Sequence, residues 1–354
     1  MIDWRLATVV AQGVAATGPT VPAGAAERFH ALAEPSELAR RLVEDYTGLH
    51  PVGPVPAAET VDRGGWIETA LGGMRGLLDP VIGRVGTNLG PLGVPVRAAG
   101  GALLALEVGA ISGVLAQRVL GQYEFPVLEP AAPARLLFVA PNLAHAARRL
   151  DAEPDELLRW VALHEITHAL QFGGVPWLRE HLAGRVRGLL AALDVQVDTK
   201  RLARLASAEG LKALVESVRR GELATLMLGE DQRAQLEEMQ AFMAVLEGYA
   251  EHVMDVVGLE VLPRLPELRQ AMDARRRDRT GLLRLLERLI GMDMKLRQYE
   301  LGKAFCDAVV ARGGIDALNR VWRAPDAMPS PAELEDPAAW IARTEPPALP
   351  AADA

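Results

Sequence analysis

The chain has 354 residues, half of them hydrophobic and 24% charged, with a formal net charge of −8. These are globular proportions, enough for two average domains or one large one, so a mainly disordered or collagen-like chain is excluded; the acidic balance also argues against nucleic acid, which calls for a basic face. The single cysteine, Cys306, excludes an intramolecular disulfide and a cysteine-rich zinc site and suits a reducing compartment, leaving the seven histidines as the residues to watch.

The N-terminus, Met1-Ile2-Asp3-Trp4-Arg5, lacks the basic and apolar regions of a signal peptide, and a cytoplasmic location is expected. Residues 1–50 read as two amphipathic helices around a Gly/Pro loop at 18–24, with Leu38, Leu42 and Tyr46 at helical spacing in the second. A proline-rich connector at 51–56, a helix at 65–78 and a Gly/Pro stretch at 83–95 follow. Residues 98–116 are rich in Ala, Leu and Gly, long enough to span a bilayer, and carry Gly109 and Gly113 at GxxxG spacing. A central Glu107 is costly in lipid, so a close-packed core helix is expected and no membrane partner.

Two strands are expected, at 123–128 and 135–140, the second ended by Pro141-Asn142. Beyond Asp151 the pattern is helical: 154–172, 176–194, 199–206, 209–218, 221–228, 231–258, 264–277, 280–312 and 314–322. From about residue 324 the chain holds seven prolines, and its last ten residues are expected to be disordered. The fold class is therefore mainly α with a small β element (α+β). It is read as one helical domain over 1–323 and a proline-rich C-terminal tail at 324–354.

The most informative helix carries His164-Glu165-Ile166-Thr167-His168. At 3.6 residues per turn, His164 and His168 lie one turn apart on one face, where two imidazoles can grip one zinc ion. Glu165 beside them can act as general base on a zinc-bound water. Pro154 suits the first turn, and Gly173-Gly174 stops the helix.

A catalytic zinc needs a third protein ligand and an open position. The pattern HExxHxxGxxH is excluded, because Gln171 and Gly174 stand where Gly and His are required. Glu247 and Glu251, one turn apart on a later helix, fit better: Glu247 as ligand, Glu251 behind it accepting a hydrogen bond from a ligand histidine. Glu251, His252, Glu180 and His181 are rival ligands. Gly248 costs about 1 kcal/mol mid-helix and suggests that another backbone or a metal site comes close.

Here the chain resembles the zincin-like metallopeptidase type 2 family of actinobacteria and Chloroflexi. The likeness rests on Ile2-Asp3-Trp4, on Val119 to Tyr123, on Pro141-Asn142, on His164 to Phe172, and on Glu247 to Glu251. It continues at Lys295, Gln298-Tyr299, Gly302, Asn319, Trp322 and Trp340, covering nearly the full length. Glu247 to Glu251 is also similar to the second motif of gluzincin peptidases, which supplies their glutamate ligand. The resemblance implies a zincin-like fold around one zinc. The 79 residues from His168 to Glu247 exceed the few tens usual there, so 175–246 reads as a helical insertion, a lid over the metal being one expectation.

For the oxyanion, Tyr249, Tyr299, His252, Lys295 and Arg297 are candidates, with Tyr299 favoured. Asn142 could bind a substrate backbone, but capping the next turn is preferred. Cys306 reads as a small core residue, His30, His50 and His145 as structural or solvated, and the basic run from Arg275 to Arg279 as a solvated helix end. The expected activity is zinc-dependent hydrolysis of a peptide or a small-molecule amide, with a non-catalytic zinc-binding scaffold as the third reading. The oligomeric state is left open.

Overall fold

The computed structural model describes residues 2–85, 93–192, 230–277 and 292–345. The helices expected at 199–206, 209–218 and 221–228, the first part of 280–312 and the final residues lie outside them. So do the side chains of Lys295, Arg297 and Tyr299, and those of Arg275, Arg276, Arg277, Asp278 and Arg279.

In chain order the helices are α1 (Trp4–Ala16), α2 (Ala33–Thr47), α3 (Arg63–Val85), α4 (Gly93–Ala116), α5 (Ala140–Arg149), α6 (Pro154–Gly174) and α7 (Leu178–Ala192). They continue as α8 (Glu230–Val261), α9 (Leu265–Arg277), α10 (Met292–Leu318), α11 (Pro331–Glu335) and α12 (Pro337–Thr344). Among the described residues a single small sheet is made by β1 (Ala58–Val61), β2 (Gly121–Glu124) and β3 (Arg135–Val139) in the order β1-β3-β2. The class is thus mainly helical with a small sheet, as the sequence implies.

β3 is the central strand because Leu136 to Val139 are apolar on both faces, and all four are fully buried. β1 runs parallel to it, from Ala58 opposite Leu136 to Val61 opposite Val139. β2 runs antiparallel, from Gly121 opposite Phe138 to Glu124 opposite Arg135. Two expectations need correcting. The strand expected at 123–128 sits at Gly121–Glu124, short of Pro126, which has no N–H to give to a ladder. A third strand, Ala58–Val61, carries no period-2 signal, and its pairing with β3 makes it a strand.

The centre of the molecule is α6, which is apolar nearly all round and packs on α2, α5, α8 and β2. Its buried polar residues are Glu165, Thr167 and Gln171. Thr167 satisfies itself by donating to the Leu163 carbonyl at 2.7 Å.

Two helix pairs come into near-backbone contact through glycine. On α4, a Cβ at Gly109 or Gly113 would lie 2.5 Å from the carbonyl oxygen of Ala7 or Ala11 on α1. The GxxxG spacing is used here to seat α1, and among the described residues no helix is long and apolar enough to cross a membrane. On α8, a Cβ at Gly248 would lie 2.2 Å from the Gly302 carbonyl carbon of α10, and one at Gly302 would lie 2.0 Å from the Ala244 oxygen. The mid-helix glycine at 248 is therefore explained by the backbone of α10. That helix breaks at Gly314, where φ is +71°, matching the division expected between 312 and 314.

Of the proline-rich segment after 324, residues up to 345 are described. Pro331 and Pro337 open two short helices, the first with a Ser330/Glu333 capping box. Fully buried Trp340 packs on Phe305 of α10 and donates its indole N–H to the Ala327 carbonyl at 2.8 Å. Residues 178–192 and 230 onward, the described ends of the 175–246 stretch, are helical and pack on each other.

The glycine crossing is open to test. Gly302→Ala is expected to lower unfolding stability by about 1–3 kcal/mol through overpacking, read from denaturant titration. An unchanged midpoint would contradict the close approach of α8 and α10.

Candidate metal centre

His164 and His168 project from the middle of α6, and Glu247 faces them from α8. The two Nε2 atoms are 3.2 Å apart, and Glu247 Oε2 is 3.6 Å from each. Donor atoms held tetrahedrally at zinc, with bonds of about 2.0–2.1 Å, stand about 3.3–3.4 Å from one another. The three donors thus form a triangle close to the size such an ion requires. Their side chains are 21%, 12% and 18% exposed, so the site is enclosed but reachable. Among the described residues this is the one group of His, Cys, Asp and Glu able to hold a metal.

The electrostatics agree. Desolvation disfavours a charged imidazole at His168, but the Glu247 carboxylate outweighs it, with help from Glu165 and Gln171, and lifts the ring to about 9. That proton is a positive charge shared between imidazole and carboxylate, and a metal ion competes for the same place.

Glu165 is buried one residue beyond His164 and is tied to the sheet. The Tyr123 N–H of β2 donates to its Oε2 at 2.7 Å. A Cβ on Gly121 would lie 2.7 Å from Val161 Cγ1 and 2.8 Å from Glu165 Cγ, so glycine there lets β2 lie directly on α6. Burial pushes the Glu165 carboxyl up to about 7; His168 and the Tyr123 N–H oppose the rise and Glu247 adds to it.

Behind His168 stands Gln171, a residue that sequence reasoning used only to exclude a motif. Its Oε1 is 2.8 Å from His168 Nδ1, and its Nε2 donates to the Leu246 carbonyl at 3.0 Å. The signal was available: three residues past the second histidine, it lies on the same helical face. His164 Nδ1 faces Met254 Sδ at 3.2 Å. Glu251 accepts from Arg269 at 3.0 Å. Arg269 also pairs with Asp255, which reaches Lys303, and Lys303 holds Asp307.

The other candidates are placed elsewhere. His252 points away from the metal group: its Nδ1 donates to Asp307 at 2.7 Å, and its Nε2 is hydrogen-bonded with the Tyr46 hydroxyl at 2.8 Å. Tyr249 is fully buried against Trp322 and donates its hydroxyl to Asn319 at 2.8 Å, which removes it as an oxyanion donor. Glu180 pairs with Arg187, and His181 accepts from Arg185 at 2.7 Å. Asn142 donates to the Ala116 and Val119 carbonyls, so it closes the end of α4 and not the turn that follows it. Cys306 is wholly buried, and burial pushes its thiol up. Tyr299 lies on α10, its side chain outside the described residues.

This chain belongs to the zincin-like metallopeptidase family, whose model matches residues 2–341. It is also similar to a crystal structure from Chloroflexus aurantiacus, described as a presumed hydrolase with a novel fold. The two are 31% identical with a TM-score of 0.69, over 97% of this chain and 98% of that one. No curated protein matches it. Family and neighbour together support a hydrolase.

The rejected candidates give a direct check. His252→Ala is expected to leave metal content unchanged while weakening the contacts with Tyr46 and Asp307. Tyr249→Phe should cost about 1 kcal/mol by removing the hydrogen bond to half-buried Asn319, again with metal content intact. Loss of metal in either variant would contradict the placement of these side chains.

Proposed function

We propose that the protein is a zinc-dependent hydrolase of peptide bonds, with His164, His168 and Glu247 as metal ligands and Glu165 as general base. The observation that carries this reading is the triangle of donors at 3.2, 3.6 and 3.6 Å with a buried carboxylate beside it. Two imidazoles and one carboxylate, with a position left open, are a donor set suited to catalytic zinc. Bound there, zinc would supply Lewis acidity toward a carbonyl oxygen and acidify a water.

The chain's own residues do the rest. Glu165 takes the proton of the attacking water and passes it to the leaving nitrogen. The Tyr123 N–H holds one carboxylate oxygen, which fixes Glu165 in place for both transfers. Glu251, one turn from Glu247 and paired with Arg269, is assigned a supporting role on α8; the Nδ1 atoms of the two ligand histidines face Met254 and Gln171 instead. Tyr299 is assigned the hydrogen bond to the developing oxyanion. An extended substrate is favoured because β2 is an end strand of the described sheet and lies against α6, where main-chain groups can meet a peptide. The single cysteine supports a reducing, cytoplasmic setting.

Metal analysis of the purified chain is expected to give about one zinc per molecule, with His164→Ala and Glu247→Ala each depleted. Glu165→Gln should keep the metal and lose turnover in a digest of an unbiased peptide library. Unchanged zinc in His164→Ala would overturn the ligand set. Identical digests from the wild type and Glu165→Gln would reject peptides and turn the search to small-molecule amides.

A further inference from the structure

Resting on the zinc-site reading above, we propose that Gln171 is a positioning residue. It selects the nitrogen of His168 that faces the metal, and it holds the Glu247 helix at the distance the site requires. The Gln171 side chain is completely buried between α6 and α8, where an amide without partners would be costly. Both of its ends are satisfied, and each end is satisfied in only one way.

Hydrogen-bond chemistry fixes the order. The Leu246 carbonyl can only accept, so the amide nitrogen of Gln171 must face it, at 3.0 Å. That leaves Oε1 toward His168 Nδ1, at 2.8 Å. An amide oxygen can only accept, so Nδ1 must carry a proton. Nε2 of His168 is then the nitrogen with a lone pair for the metal, and it is the atom that lies 3.2 Å from His164 Nε2 and 3.6 Å from Glu247 Oε2. A flipped amide would set Oε1 against the Leu246 oxygen, acceptor to acceptor.

The same side chain is also a strut. Leu246 immediately precedes Glu247, so the Gln171 bond grips the α8 backbone one residue from the carboxylate ligand. One residue therefore connects the ligand pair on α6 to the third ligand, 79 positions away in the chain.

The test measures zinc affinity by chelator competition on the full chain, for the wild type, Gln171→Met and Gln171→Glu. Histidine-labelled 15N spectra of the zinc-loaded wild type accompany it. Gln171→Met, similar in size but unable to make either bond, is expected to bind zinc roughly 10–100-fold more weakly. Gln171→Glu keeps an acceptor for Nδ1–H but sets its other oxygen against the Leu246 oxygen, so it is expected to bind zinc more weakly than the wild type. The spectra should show the His168 proton on Nδ1 and the metal on Nε2. A Gln171→Met variant within about twofold of the wild type would overturn the proposal, as would Gln171→Glu as tight as the wild type, or metal on Nδ1. If Gln171→Met fails to fold, the wild-type spectrum still decides. A wild type that binds no zinc overturns the site and this role together, whereas zinc binding that is indifferent to residue 171 overturns this role alone.

Discussion

Three side-chain donors from two helices must stand within 3.6 Å of one another, although His168 and Glu247 are 79 positions apart in the chain. No local interaction can bring this about. It depends on α8 being clamped from both sides at one level. On one side α6 lies buried, and Gln171 reaches across to the Leu246 carbonyl. On the other, α10 crosses α8 so closely at Gly248 and Gly302 that neither position has room for a Cβ. Glu247 sits between these two contacts. Mid-helix glycine is unfavourable by about 1 kcal/mol, and here that cost allows an approach that fixes the height of Glu247.

The small sheet has a comparable job for Glu165. β3 is buried on both faces and anchors β2, and β2 brings the Tyr123 N–H onto the carboxylate. Glycine at 121 permits the close fit. Further out, Glu251, Arg269, Asp255, Lys303, Asp307, His252 and Tyr46 form a continuous chain of ion pairs and hydrogen bonds over α8, α9, α10 and α2. Partly exposed pairs contribute little singly. Their joint effect is on geometry, since they tie α8 to three neighbouring helices.

Much of the site was legible because its signal is local. The His164–His168 spacing and the flanking Pro154 and Gly174 define a helix and a ligand face on their own terms. The one-turn relation of Glu247 and Glu251 is equally local, and the family likeness points to the same pair. What was not legible depends on partners. Ala58–Val61 becomes a strand only through β3. Gly121 belongs to a strand because α6 needs its missing side chain. The tyrosine and histidine at 249 and 252 looked like site residues by proximity in sequence, yet two residues along a helix is about 200° of rotation, and five is about 140°. Both therefore leave the face that carries Glu247. The prolines after 324 read as a C-terminal tail, whereas Pro331 and Pro337 occupy first-turn positions where a missing N–H is harmless.

The central claim is that this particular trio of atoms holds one zinc ion. Anomalous diffraction from zinc-loaded crystals, recorded on both sides of the zinc absorption edge, tests it most directly. The account predicts a single strong peak about 2.0–2.2 Å from His164 Nε2, His168 Nε2 and a Glu247 carboxylate oxygen. A peak ligated by any other set of side chains, or no peak at the α6–α8 crossing, would contradict it.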